Sequence, residues 1–153
     1  MKRYQRALCV GLTVFLLAAC GKTLELNPKE TVDQLQKDLT FTDEMAELDK
    51  DNACRIYGVD ETLVDDCAGL RGSGATAENL SVWKADSADD AEEIKAQLQS
   101  FLESWTEGYA DYKPEEVPKL ESAVLSSAEN YVILCVSADN DTAETLINGI
   151  LHP

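Results

Sequence analysis

Cys20 is the side chain whose neighbours most clearly prescribe a reaction. It follows Leu17-Ala18-Ala19, an apolar residue and two small ones, the pattern read by the enzymes that acylate the cysteine of bacterial lipoproteins and cleave before it. Lys2, Arg3 and Arg6 supply a positive n-region, and Ala7 to Ala19 is an uncharged apolar run. That run is too short to cross a bilayer comfortably, since spanning takes about 20 residues. Met1 to Ala19 therefore reads as a signal peptide, with Cys20 as the first residue of the mature chain and the carrier of its lipid.

The other chemically suggestive residues are weaker. Acidic pairs stand at Asp60-Glu61, Asp65-Asp66, Asp89-Asp90, Glu92-Glu93 and Glu115-Glu116, and most such pairs are solvated surface. Asp65-Asp66 differs because it falls in an expected strand, where alternation turns one of two successive side chains toward the buried face. Both are held as candidate contacts for a cation. Trp83 shares a strand parity with Asn79 and Ser81, opposite to Leu80 and Val82, and is the candidate contact for a protein partner on an open sheet face.

Several chemistries are excluded. His152 is the single histidine and lies one residue from the end, so neither a Ser-His-Asp triad nor a histidine metal cluster can be built. Gly21-Lys22-Thr23 lacks the earlier glycine of a phosphate loop. Asp139-Asn140-Asp141 has Glu144 where a calcium loop needs glycine, and it reads as a helix cap instead. No catalytic residue, metal ligand set or cofactor site is expected. Cys9 leaves with the leader, and Cys54, Cys67 and Cys135 show no metal-ligand spacing. They are expected as reduced, buried thiols, although Cys67 and Cys135 both fall in strands and could face one another.

Charge narrows the partners. The leader holds three of the 13 basic residues and none of the 29 acidic ones, so the 134 residues after it carry a formal net charge of −19. Phosphate backbones and anionic headgroups would repel such a surface, which argues against nucleic acid and leaves the lipid on Cys20 as the contact with the membrane.

These residues need positioning by one domain. Gly21 to Leu26 has no periodic pattern and reads as a spacer, with residues 20–28 the lipidated N-terminus and 29–153 a single domain. Asn27 and Pro28 open a first helix, with Val32, Leu35 and Leu39 as its apolar stripe. A short helix from about Asp51 to Tyr57 stops at Gly58. Strands follow at Leu63–Leu70 and Glu78–Lys84, then a long helix capped by Ser87 and ended by Lys113-Pro114. A second strand pair, Ser122–Ser127 and Tyr131–Ser137, precedes a last helix capped by Asp139 or Asp141. The order helix, short helix, then strand-strand-helix twice implies an α+β two-layer sandwich, an antiparallel sheet of about four strands with helices packed on it.

Ala75-Thr76-Ala77-Glu78, Val82-Trp83-Lys84-Ala85, the long helix with its acidic start, Tyr112 with Pro114, and Tyr131-Val132 resemble the small Gram-positive lipoproteins classed as a domain of unknown function. The resemblance covers roughly Thr31 to Leu151. It implies the fold and a lipid-anchored location outside the cytoplasm, and no activity. The expectation is a non-catalytic accessory or interaction module at the cell membrane, meeting a protein partner. The alternative is a module for a small cationic or metal ligand, with a carboxylate-only hydrolase behind it.

Overall fold

A computed structural model describes residues 23–153. Helix α1 runs from Pro28 to Asp38, α2 from Lys50 to Tyr57, α3 from Ala88 to Tyr112, α4 from Val117 to Glu121 and α5 from Asn140 to Leu151. The helix starts are those that the polar residues dictate. Asn27 accepts the Glu30 N–H at 3.0 Å, Asp49 that of Asn52 at 2.9 Å, Ser87 that of Asp90 at 3.1 Å and Asp139 that of Thr142 at 3.1 Å. Gly58 closes α2 in the left-handed conformation, with φ of 69°, and Lys113-Pro114 stops α3.

The sheet has five strands, one more than expected: β1 Ala46–Leu48, β2 Val64–Arg71, β3 Asn79–Ala85, β4 Val124–Ala128 and β5 Tyr131–Val136, in the order β1-β2-β3-β5-β4 and antiparallel throughout. The missing strand was β1. Three residues, two of them exposed, are too few for an alternating pattern, and β1 exists because Ala46, Glu47 and Leu48 pair with Arg71, Leu70 and Gly69. Between α3 and β4 the chain makes a single 3-10 turn, Pro114–Glu116, leading into α4.

Helices cover both faces of this sheet, so the expected two layers are three. On one face α2 and α3 enclose Val64, Cys67, Trp83, Val132 and Leu134. On the other, α1 and α5 enclose Ala68, Leu70, Leu80, Val82, Ile133 and Cys135. All six residues of β5 are buried, as its apolar run on both parities requires. Strand β3 looks half polar, yet Asn79 and Ser81 are as buried as Leu80 and Val82. The order of elements from which two layers were expected does not say which face each helix covers, and the open face assumed at Trp83 is closed by α2 and α3.

Candidate functional site

Trp83 is buried, not exposed: its relative exposure is 0 %. Its indole N–H donates to the Ser81 hydroxyl at 2.8 Å, and its ring meets Tyr57 edge to face at a centroid distance of 5.7 Å. The Ser81 hydroxyl that suggested a solvent face is the internal acceptor for the indole. A partner therefore cannot meet the folded domain through Trp83.

Asp65 and Asp66 are both exposed, and the reason is a register shift between Val64 and Asp66. Val64 and Cys67, three positions apart, face the same core because the bulge inserts one extra residue. Strict alternation would have buried one carboxylate. Asp65 lies 2.8 Å from the Lys84 ammonium, which holds its carboxyl below the usual carboxylate range, so its cation is the chain's own. Asp66 accepts the N–H of Cys67 at 2.8 Å. The pair does not converge on a shared site, and the described residues contain no group of three or more His, Cys, Asp or Glu side chains placed for a metal. Cys20 and the leader lie outside the described residues.

Cys54, Cys67 and Cys135 are free and buried. Cys67 faces α2 and α3, whereas Cys135 faces α1 and α5, so the sheet itself separates them. Burial pushes all three thiols up, Cys135 to about 12.

The strongest concentration of charge went unread in the sequence. Glu78 is fully buried immediately before β3. One carboxylate oxygen accepts the N–H groups of Thr42 and Asp43 at 2.7 and 2.9 Å, and the other accepts the Thr42 hydroxyl at 2.8 Å and the Lys119 ammonium at 3.2 Å. Lys119 also reaches Glu116 at 3.1 Å, and Glu116 accepts the Ala77 N–H at 2.9 Å. Burial pushes the Glu116 carboxyl up, but the Ala77 N–H and the Lys119 ammonium outweigh it and leave the group below its ordinary value. Every oxygen of Glu78 is committed, so the cluster is a clamp. It fixes the connection from Thr40 to Met45 that delivers β1 to the sheet edge. Glu116 had been read as part of a solvated acidic pair, and its spacing of three from Lys119 was the available signal.

Aromatic residues form a row from the end of α2 along α3. Tyr57, Phe101, Trp105, Tyr109 and Tyr112 contact in succession at centroid distances of 4.8, 4.8, 5.6 and 6.0 Å. Arg71 at the end of β2 places its guanidinium 5.6 Å from the Trp105 ring centroid. The row runs from the core to solvent and ends at Tyr112, which is 71 % exposed.

At the opposite end of the domain the N-terminal segment is docked. Leu24 is buried, and its N–H donates to both carboxylate oxygens of Glu129, at 3.1 and 3.2 Å. The Leu26 N–H donates to the Tyr131 hydroxyl at 3.2 Å. Glu129 sits in the turn between β4 and β5 with φ of 51°, in the left-handed region. Between this segment and the last turn of α5 lies an open groove of about 880 Å³, walled by Leu24, Leu26, Ile150, Leu151 and Pro153. The stretch expected to act as a spacer is thus held against the globule from Leu24 onward.

Residues 37–137 match the family described as Domain of unknown function (DUF4358). The chain belongs to that family. No curated protein and no solved structure matches it. The DUF4358 span takes in the whole sheet, the Glu78 clamp, the aromatic row and Glu129. It leaves out Leu24, Leu26, most of α1 and all of α5, so the groove is built largely by residues outside the family match.

Proposed function

We propose that this DUF4358 protein is a lipid-anchored accessory module outside the cytoplasm, held to the cell membrane through Cys20, that acts by binding another protein and catalyses nothing itself. The observation that carries the reading is the run Leu17-Ala18-Ala19-Cys20 behind a basic n-region and an uncharged apolar stretch. No helix among the described residues is long and apolar enough to cross a membrane, and attachment is assigned to the lipid on the strength of that run. The saturated bonding of Glu78 supports a structural role for the buried charges. The row ending at Tyr112 is the surface that supports a partner, in the place first held for Trp83.

Changing Cys20 to Ser and fractionating cells tests the anchor. The variant is expected in the soluble fraction without fatty-acid label, and an unlabelled wild-type chain or a variant still held in the membrane would overturn the reading. Crosslinking on intact cells, compared between the wild type and Tyr112→Ala, tests the partner: specific captures are expected to drop in the variant. The alternative of a small cationic or metal ligand draws no support from Asp65, whose carboxylate is already paired with Lys84.

A further inference from the structure

We propose that the groove between the docked N-terminal segment and the end of α5 seats one acyl chain of the lipid carried by Cys20, an inference that rests on the anchoring reading above. Thr23 stands at its lip, together with Leu24 and Leu26. Thr23 is three positions after Cys20, and so short a stretch spans at most about 11 Å. The bonds from Leu24 to Glu129 and from Leu26 to Tyr131 hold the segment from Leu24 onward against the domain, so the short tether to Cys20 starts at the lip of the groove.

The groove suits a hydrocarbon chain in lining and size. Leu24, Leu26, Ile150 and Leu151 supply apolar walls, and a space of about 880 Å³ falls within the range, about 300–1,000 Å³, of sites that enclose small apolar ligands. Its polar members lie on the segment's alternate position and neighbouring elements: Glu25 and Gln34 are exposed, and Glu129 is bonded to Leu24. The tether favours the attached chain over a free lipid, and charge disfavours the bilayer face. A domain with a formal net charge of −19 gains nothing from anionic headgroups. A chain tethered three residues away is presented at an effective concentration on the order of millimolar whatever the surface charge. Seating it turns the β4–β5 turn and the end of α5 toward the membrane.

The test is to grow cells on a fatty acid with a diazirine near its end, so that the anchor is photoreactive, irradiate them, and map the crosslinked peptides by mass spectrometry. The expected result is label on Cys20 with crosslinks from that same lipid to Leu24–Leu26 and to Ile150–Leu151. Ile150→Gln, at a half-buried position, is expected to keep the label and lose the groove crosslinks several-fold. Label on Cys20 with crosslinks only to surrounding phospholipid overturns this inference and leaves the anchor standing. Groove peptides crosslinked to a lipid not attached to Cys20 overturn it in favour of a free lipid. Absence of label overturns the anchor as well.

Discussion

Glu129 and Leu24 are joined across 105 positions of the chain, the carboxylate receiving the Leu24 backbone N–H with both of its oxygens. Glu129 holds this contact from a left-handed backbone, with φ of 51°, that a side chain disfavours. Glu129→Ala loses the acceptor and keeps the strain, and is expected to cost about 2 kcal/mol. Glu129→Gly loses the acceptor but relieves the backbone, and should cost about 1 kcal/mol less than the alanine variant. Urea denaturation measures both, and equal losses would remove strain from the account.

The clamp at Glu78 should be sensitive to either partner. Glu78→Gln puts an amide where four donors converge and is expected to destabilise by about 3 kcal/mol. Lys119→Met leaves two buried carboxylates without their ammonium and should cost about 2 kcal/mol, less because Lys119 is partly exposed. The double variant should be more stable than the sum of the two losses predicts, by about 1 kcal/mol or more. Additivity in chemical denaturation would mean that the two side chains act independently.

Glu116 sets an acid limit. Its carboxyl ordinarily titrates near 4.5 and is held lower in the fold, so the unfolded chain takes up the proton first as pH falls. The stability that Glu116 contributes is therefore complete above about pH 5 and is lost as pH drops through 4.5 toward the depressed folded value. Glu116→Gln should flatten the fall in Tm over that window and lower the plateau above it. An unchanged slope would assign acid sensitivity to other carboxylates.

The thiols should be silent in the native state. With burial pushing Cys54, Cys67 and Cys135 up, a disulfide reagent at pH 8 is expected to find almost no reactive thiolate until urea is added. With the leader removed and Cys20 acylated as proposed, denaturation should then release the three thiols of Cys54, Cys67 and Cys135. A fourth would show that Cys20 is unmodified, and fewer than three would show a disulfide.

Trp83→Ala is expected to lose about 3–5 kcal/mol, because it empties the space between β3 and α2 and leaves Ser81 without its donor. Tyr112→Ala should change stability by no more than about 0.5 kcal/mol, since Tyr112 is largely exposed. Thermal unfolding of the two variants separates a core aromatic from a surface one.

Much of the fold could be read from local signals, and what escaped was set by distant partners. Asn27, Ser87, Gly58 and Pro114 act on their own backbone or the next turn, so α1, α2 and α3 begin or end as expected. The six apolar residues of β5 announced burial on both faces. Asn79 and Ser81 read as solvent-facing because their burial comes from the helix layer packed over β3, while the bonds they make, with Ala77 and Trp83, are ones an exposed strand could also hold. Glu78 escaped for a related reason: its donors come from Thr42, Asp43 and Lys119, about 40 positions away on either side. Asp65 and Asp66 misled because a bulge breaks the alternation from which their placement was deduced.

The two outermost strands are the shortest, with three residues in β1 and five in β4, and Glu47 puts a charge on the first of these rims. A short, charged rim offers another molecule few free backbone groups to zip onto. Copies crowded together would therefore gain little from edge-to-edge pairing, since the sheet provides scant template for fibril growth.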